Sequence, residues 1–332
     1  MEGIGVAFSG GLQPTDVVEC VQLAEELGYE SAWMAEGHGG DQFSILTACA
    51  MKTERILLGT SITSVFVRTA PTIAMAAASV DLFSQGRFIL GLGTSHKVQV
   101  EPEHGLVFAQ AVPRLRECLE IIRSLLRDGA VSYRGDVYDI EGFDLWFQPV
   151  RKEIPVYIAA VFPKMLEVCG EISQGALLTY CTAEHATTAA KHVAIGAQKA
   201  GRDPADVAVA TLLPCAVTGV NEQAIDGLRT NIANYATKFP RYRRLMEEAG
   251  FAEELAPVRR AWSAGEKEKA LELVPAGLID KIALVGTRDH ILERIEEYRR
   301  AGITLPIFSP RFAGSGAKGQ AMDVIRACAP GS

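Results

Sequence analysis

The sequence of 332 residues lacks the residue patterns of several common protein classes. Its seven cysteines include no CxxC pair, and their odd number fits no closed disulfide framework. Its six histidines show no zinc-site spacing, and neither a GxSxG turn nor a P-loop is present. We therefore expect buried free thiols in a reducing cytoplasm, no metal site, and neither a serine hydrolase nor a nucleoside triphosphatase.

Long apolar runs and dense basic stretches are also missing. The most apolar segment, residues 70–82, is short and carries Asp81, so it predicts a buried helix rather than a membrane span. The first residues, MEGIGVAFSGG, lack the basic start and apolar run of a signal peptide. Net charge is -7 without a basic stripe. The sequence thus predicts a cytoplasmic protein whose partner is a small organic molecule, with no membrane or nucleic-acid partner.

Short apolar segments alternate with amphipathic ones along the whole chain. With 48% hydrophobic and 22% charged residues, the chain can bury a large core. The apolar segments lack polar alternation, as strands buried on both faces do. Eight of them predict strands, at residues 4–9, 31–35, 56–63, 88–91, 155–160, 176–181, 207–217 and 305–308. Eight such units favour an α/β fold of the (β/α)8 (TIM) barrel type.

Two segments depart from this alternation. Residues 132–147 are aromatic and contain the turn Arg134-Gly135-Asp136, which predicts a hairpin. Residues 221–273 are charged and mostly helical in pattern. Because no linker divides the chain, we expect one domain, residues 1–332, with insertions at about 130–150 and 221–275.

The loop after the second strand carries two candidate catalytic side chains. Glu36 and His38 stand among Gly37, Gly39 and Gly40, and both side-chain types can exchange protons with a substrate. A flexible surface turn explains the same residues without any chemistry. The sequence leaves open which of the two, if either, acts.

The ends of later strands suit a phosphate or a planar ring. Gly91, Gly93 and Thr94 form a turn that can expose backbone N–H groups, and the following His96 can add positive charge. The small residues Ala159 and Ala160 precede a helix that begins at 163. Each is also compatible with an ordinary turn. Since active sites of these barrels lie at the carboxyl ends of strands, we expect them to converge.

These strand ends, taken in order, resemble those of luciferase-like, F420-dependent oxidoreductases of the bacterial luciferase superfamily. The resemblance is carried by AEGHGGD at 35–41, GTSITS at 59–64 with Arg68 and Pro71, GRFILGLG at 86–93, IPVYIAA at 154–160 and LVGT at 284–287. The segments at 154–160 and 163–166 are similar to methylenetetrahydromethanopterin reductases of that group. Two features depart from the family pattern: Gly37 separates Glu36 from His38, and Val161 and Phe162 stand where relatives carry glycines.

The resemblance implies a bacterial-luciferase-like barrel that transfers hydride between coenzyme F420 and an organic substrate. It further implies a homodimer, and a non-prolyl cis peptide after strand three that maps to Ser64-Val65. The implied cofactor-binding residues are Thr63, Ser64, Val65, Gly91, Gly93, Thr94, Ala159, Ala160, Val161 and Phe162. Two alternatives stay open: an FMN-dependent monooxygenase and a non-catalytic flavin- or deazaflavin-binding protein.

Overall fold

Twelve strands are found in the computed structural model, which describes residues 3–220, 224–312 and 314–330. They are β1 (Gly5–Phe8), β2 (Ser31–Met34), β3 (Leu57–Thr60), β4 (Thr63–Ser64), β5 (Phe88–Gly93), β6 (Ala130–Arg134), β7 (Asp139–Asp144), β8 (Val156–Ala159), β9 (Gly175–Thr179), β10 (Ala208–Val217), β11 (Leu284–Gly286) and β12 (Leu305–Pro310).

Eight of these strands close into a parallel barrel. The order around the ring is β1, β2, β3, β5, β8, β9, β10 and β12. The ring closes because β1 pairs in parallel with both β2 and β12. Two short strands lie beside it, since β4 pairs with β5 and β11 pairs with β10. The predicted (β/α)8 barrel is therefore confirmed, and each of its eight predicted strands overlaps an observed one.

The barrel interior is filled by side chains that alternate with those pointing to the helices. Trp33 of β2 is fully buried there, and its indole N–H donates to the hydroxyl of Ser31 at 2.9 Å. Gly59 of β3 faces this ring, and a Cβ atom at Gly59 would lie 2.3 Å from it. Burial of the strands on both faces explains why they read as unbroken apolar runs.

Fourteen α-helices are seen in the described parts of the chain. They are α1 (Pro14–Glu26), α2 (Gln42–Ala50), α3 (Ala70–Phe83), α4 (Lys97–His104), α5 (Ala111–Asp128), α6 (Pro163–Ile172), α7 (Ala183–Lys199), α8 (Ala224–Lys238), α9 (Pro240–Met246), α10 (Ala252–Ser263), α11 (Lys267–Glu272), α12 (Ala276–Ile282), α13 (Arg288–Arg300) and α14 (Ala317–Ala327).

Most of these helices bury one face against the barrel. In α5 the buried residues Leu115, Leu119 and Ile122 recur at helical spacing, and the helix ends at Gly129 in the left-handed conformation. All seven cysteines are buried and unpaired, as the sequence predicted. Burial raises the pKa of the Cys20 thiol to about 12, so this thiol stays protonated and inert.

Both irregular segments fold as their patterns indicated. Strands β6 and β7 form a two-stranded antiparallel hairpin outside the barrel. Helices α8 to α11 occupy the second segment and pack around their own apolar cluster, which includes Leu228, Ile232 and Leu255. Residues 221–223, with which the predicted second insertion begins, lie outside the described residues. The helical segment matters for function because α8 and α9 reach over one end of the barrel.

Candidate active site

A cavity of about 620 Å³ opens at the carboxyl ends of the barrel strands. Its floor comes from the ends of β2, β3, β5, β8 and β9, and one wall comes from α8 and α9. The lining residues are Ala35, Glu36, Ser61, Ile62, Thr94, Ser95, His96, Gln99, Val112, Ala159, Ala160, Val161, Phe162, Lys164, Met165, Leu177, Thr179, Tyr235, Phe239, Pro240, Arg241, Tyr242 and Arg244. This is the end of the barrel where active sites of the fold lie.

Glu36 is a candidate catalytic residue that does line this cavity. One carboxylate oxygen accepts a hydrogen bond from the backbone N–H of Ser64 at 3.1 Å, and the other accepts from the Nε of Arg68 at 2.6 Å. The Glu36 side chain is only 17% exposed. Its position is therefore fixed by the loop that follows the third barrel strand.

Arg68 is anchored in turn by two further groups. Its second guanidinium nitrogen contacts the carboxylate of Asp41, and its guanidinium carbon lies 5.1 Å from the centre of the Phe43 ring. Asp41 also caps α2, because it accepts from the backbone N–H of Ser44 at 2.8 Å. Burial opposes ionisation, yet the Ser44 and Arg68 hydrogen bonds keep the pKa of Asp41 below its usual value.

His38, the other candidate catalytic residue, does not contribute to the cavity lining. Its side chain is 84% exposed and lies 3.4 Å from a carboxylate oxygen of Glu103. The chain bends through Gly37, His38 and Gly39, two residues after the end of β2. The structure thus places His38 at the rim of the barrel mouth and separates it from Glu36.

The predicted cis peptide at Ser64-Val65 is wrong; the non-prolyl cis bond lies at Ser61-Ile62. The third strand is predicted to end at residue 63, whereas β3 ends at Thr60 and the chain leaves the barrel wall there. Ser61 and Ile62 consequently line the cavity. They carry no site prediction, although they lie within the GTSITS segment.

Thr63, Ser64 and Val65 lie behind the cavity rather than on its surface. The Thr63 hydroxyl accepts from the side-chain amide of Gln42 at 2.8 Å, and the Ser64 hydroxyl accepts from the backbone N–H of Phe66. Val65 is fully buried among apolar residues. Their side chains support the loop, and only the backbone of Ser64 reaches a cavity residue, through Glu36.

Gly91 and Gly93 do not line the cavity either. A side chain at either position would clash with a neighbouring strand end. A Cβ atom at Gly91 would lie 1.7 Å from the carbonyl oxygen of Thr60, and one at Gly93 would lie 2.7 Å from Ile62. Glycine at these positions lets neighbouring strand ends approach each other. Thr94, which follows, does line the cavity.

The end of β8 supplies four of the predicted cofactor residues to the cavity, namely Ala159, Ala160, Val161 and Phe162. Phe162 precedes α6, and the guanidinium of Arg244 stacks 4.7 Å from the centre of its ring. Lys164 and Arg241 line the same region. This part of the cavity is therefore cationic, and it meets the amino-terminal end of a helix, which also favours negative charge.

An aromatic wall, formed by His96, Tyr235, Phe239 and Tyr242, faces these cations. His96 lies 5.1 Å from the Phe239 ring and 4.9 Å from the Tyr242 ring, measured between centroids. Burial, helped by the charge of Arg241, lowers the pKa of His96 to about 4. The expectation that His96 adds positive charge is thus wrong, because a neutral imidazole is present at pH 7.

The aromatic wall residues on α8 and α9 are not among the predicted site residues, although their spacing in the sequence is regular. Tyr235, Phe239 and Tyr242 follow a spacing of four and three residues, which is typical of one helical face, but the helix is interrupted at Phe239, between α8 and α9. The sequence predicts this segment only as charged and mostly helical, so its aromatic residues carry no site prediction. These three aromatic residues line the same cavity as Glu36.

A second, smaller cavity of about 490 Å³ lies at the ends of β1 and β12. Its lining includes Ser9, Asp226, Asn231 and Arg311, and it shares no lining residue with the first cavity. Within the described residues there is no cluster of three or more potential metal ligands. None of the described helices has the length and apolar character required to cross a membrane.

Comparison with known proteins decides the family. Residues 4–305 match the family described as luciferase-like monooxygenase. The chain belongs to this family. The resemblance inferred from the strand ends is therefore confirmed over most of the sequence.

Individual relatives agree in sequence and in fold. The 5,10-methylenetetrahydromethanopterin reductase of Archaeoglobus fulgidus is 30% identical over 309 residues, which cover 90% of this chain and 91% of the relative. The solved coenzyme F420-dependent tetrahydromethanopterin reductase of Methanopyrus kandleri superposes with a TM-score of 0.87 at 25% identity and covers 98% of both chains. An F420-dependent secondary alcohol dehydrogenase superposes with a TM-score of 0.77 at 20% identity, covering 98% and 99% of the two chains, and supports the fold alone.

Proposed function

We propose that this protein is an oxidoreductase that transfers hydride between coenzyme F420 and a small organic substrate. The observation that carries the proposal is the cavity at the strand ends, which joins an apolar floor to a cationic end. A putative coenzyme F420-dependent oxidoreductase of Mycobacterium tuberculosis, 27% identical over 328 residues, and the solved F420-dependent reductase of Methanopyrus kandleri support the choice of cofactor.

The residues present fit a deazaflavin with its anionic tail. The small side chains of Ala159 and Ala160 leave room for a planar ring against the barrel mouth, and the apolar side chain of Ile62 can contact such a ring. Lys164 and Arg244 lie where an anionic tail would leave that ring. An apolar pocket with a few well-placed polar groups is the usual form of a cofactor site.

The protein's own contribution is to hold and orient the reactants, because F420 supplies the hydride chemistry when it is bound. Ile62 and Ala159 would support one ring face. Tyr235 and Phe239 would cover the cavity and exclude water, which strengthens electrostatic interactions inside it. Glu36 would orient the substrate, since it is the acidic group that the structure brings to the cavity.

The two alternatives predict different binding behaviour. An FMN-dependent monooxygenase would use the same cavity with FMN, which also combines a planar ring with an anionic tail. A non-catalytic protein would bind a flavin or deazaflavin and support no turnover. The family comparison keeps the monooxygenase in consideration, whereas the relatives that are described as F420-dependent favour F420.

Equilibrium titration followed by fluorescence tests the cofactor assignment. We expect the purified protein to bind F420 at least about tenfold more tightly than FMN, a difference of about 1.4 kcal/mol. Tighter binding of FMN would overturn the assignment and favour the monooxygenase. Oxidation of bound reduced F420 by a carbonyl or imine library would then separate an enzyme from a binding protein.

We also propose that residues 1–332 act as one barrel domain, and that two copies associate through the outer face of α3. Met75, Leu82 and Phe83 on that face are 42%, 46% and 48% exposed. The face carries no charged side chain between residues 72 and 83, apart from the buried Asp81. Large uncharged apolar faces are typical of subunit interfaces.

Light scattering tests this association. The parent protein should have twice the mass of one chain, and Phe83→Glu should shift it toward the monomer. Val107→Glu is the matched control, because Val107 is 77% exposed and lies outside α3. A monomeric parent protein would contradict the proposed dimer.

A further inference from the structure

The two ends of the main cavity carry opposite charge. Lys164, Arg241 and Arg244 lie on the side of β8 and α9, whereas Glu36 follows β2. Glu36 is the one acidic side chain among the described residues that line this cavity. β2 and β8 are separated by β3 and β5, so their ends are about 14 Å apart along the ring at the usual strand spacing. A ligand that spans the cavity therefore meets a cationic end and an anionic end.

Glu36 keeps capacity for a ligand after its contacts within the protein are made. An ionised carboxylate offers about four acceptor positions on its two oxygens. The backbone N–H of Ser64 and the Nε of Arg68 each occupy one. The side chain is 17% exposed, and that exposure is toward the cavity it lines. Two acceptor positions thus remain for a donor that enters the cavity.

Arg68 fixes both the position and the charge of this acceptor. It bridges the carboxylates of Glu36 and Asp41 and packs over the ring of Phe43. The three charged groups together carry a net charge of -1, so the bridge leaves one negative charge uncompensated. Since a partly buried carboxylate without a full complement of partners is costly, the site favours a ligand that brings hydrogen-bond donors or positive charge.

We propose that Glu36 recognises a cationic, N–H-bearing group of the organic substrate, such as an amidine or a protonated amine, and that Arg68 is its positioning residue. The inference rests on the proposed function only in assuming that this cavity binds the substrate. Glu36 acts as a hydrogen-bond acceptor in this assignment, not as a proton donor. The cationic end of the cavity repels the same substrate group and so sets its orientation.

Isothermal titration of the full-length protein, with and without F420, tests the recognition with three probes of one shape. These are benzamidine, benzamide and benzoate. We expect the parent to bind benzamidine about tenfold more tightly than benzamide, because both probes donate N–H groups to the carboxylate but only the amidinium also carries a positive charge. Benzoate should bind to the Glu36 end more weakly than either.

Glu36→Gln should reduce the benzamidine preference to within about twofold, since it keeps the shape and removes the charge. His38→Gln, the control on the exposed side of the same loop, should keep the parent preference. Glu36→Asp, which keeps the charge and shortens the reach, should give an intermediate ratio, and it serves if Glu36→Gln does not fold. A parent without the preference, or a Glu36→Gln protein that retains it, would overturn the proposal.

The role of Arg68 has its own readout. We expect Arg68→Met to lower the ratio of benzamidine to benzamide affinity, because Glu36 loses its fixed position even though the site gains one unit of negative charge. A residue needed only for structure would lower both affinities equally, and a higher ratio would show that Arg68 only offsets the charge of Glu36. Arg68→Lys should restore part of the affinity ratio, because lysine restores the positive charge but does not bridge the carboxylates of Glu36 and Asp41 as arginine does. F420 titration of the same proteins distinguishes the two proposals. A parent protein that prefers benzamidine but does not bind F420 would contradict the cofactor assignment alone.

Discussion

The Nε atom of Arg68 lies 2.6 Å from a carboxylate oxygen of Glu36, and this contact joins the loops that follow the second and third barrel strands. Both side chains are mostly buried, with 23% and 17% of their surfaces exposed. The contact thus connects the acidic side of the cavity to the loop behind Ser61 and Ile62. Its consequences for stability can be measured without any ligand.

Arg68→Met should lower the free energy of unfolding by about 1–3 kcal/mol, because Glu36 and Asp41 both lose a charged partner in a partly buried setting. Urea denaturation measures this difference. Arg134→Met is the control: Arg134 pairs with Asp139, but the two side chains are 82% and 64% exposed, so its loss should cost less than about 0.5 kcal/mol. Equal effects of the two substitutions would show that the Glu36 bridge adds little stability.

Gly91→Ala tests the close approach of β3 and β5. The new Cβ atom would lie 1.7 Å from the Thr60 carbonyl oxygen, which is backbone and cannot move aside. We expect destabilisation of about 3 kcal/mol or more, or failure to fold, as for other overpacked cores. Gly142→Ala, on the exposed hairpin with no neighbouring atom within 4 Å, should change stability little. An alanine at 91 that is tolerated as well as one at 142 would contradict this packing.

His96 should make the protein less stable as the pH falls. Its pKa in the folded state is about 4, below the value of about 6.5 for an unfolded chain. The unfolded chain therefore binds more protons between these values, and stability is lost as the pH drops through that window. Between pH 7 and pH 5 the parent should lose about 2 kcal/mol more than His96→Phe, which keeps an aromatic ring beside Phe239. Parallel stability–pH curves for the two proteins would contradict a buried neutral imidazole.

Ala159→Phe should fill the floor of the cavity and weaken F420 binding at least about tenfold, because the added ring occupies the space assigned to the cofactor. Ala205→Phe is the control, since Ala205 is exposed in the short 3₁₀ helix Pro204–Asp206, which precedes the amino end of β10 and lies outside the cavity lining. Fluorescence titration measures both, and circular dichroism checks that each variant is folded. Unchanged F420 affinity in Ala159→Phe would place the cofactor elsewhere.

Much of the fold could be predicted from the sequence because strands buried on both faces leave a continuous apolar signature. The segment at 88–91, for example, lies within β5, whose six residues are all buried. Strand boundaries were less accurate, since hydrophobicity does not show where pairing stops. The strand predicted to end at Thr63 ends at Thr60, and this three-residue error displaced the cis bond and its neighbours.

The candidate site was predictable only where a residue's position along a strand determines where its side chain points. Ala159 is the last residue of β8 and Ala160 follows it, and both line the cavity. His38 does not, because a bend of three residues decides its direction and no periodic pattern records such a bend. Phe239 and Tyr242 reach the cavity through tertiary packing of the helical insertion, which a local pattern cannot show.

A crystal structure of the protein with F420 tests the central claim most directly. We predict that the deazaflavin ring lies in the cavity at the ends of β2, β3, β5, β8 and β9, with one face against Ile62 and Ala159. Its anionic tail should lie beside Lys164 and Arg244. Electron density for F420 in the cavity between β1 and β12, or an empty main cavity in crystals grown at saturating F420, would contradict the proposed function.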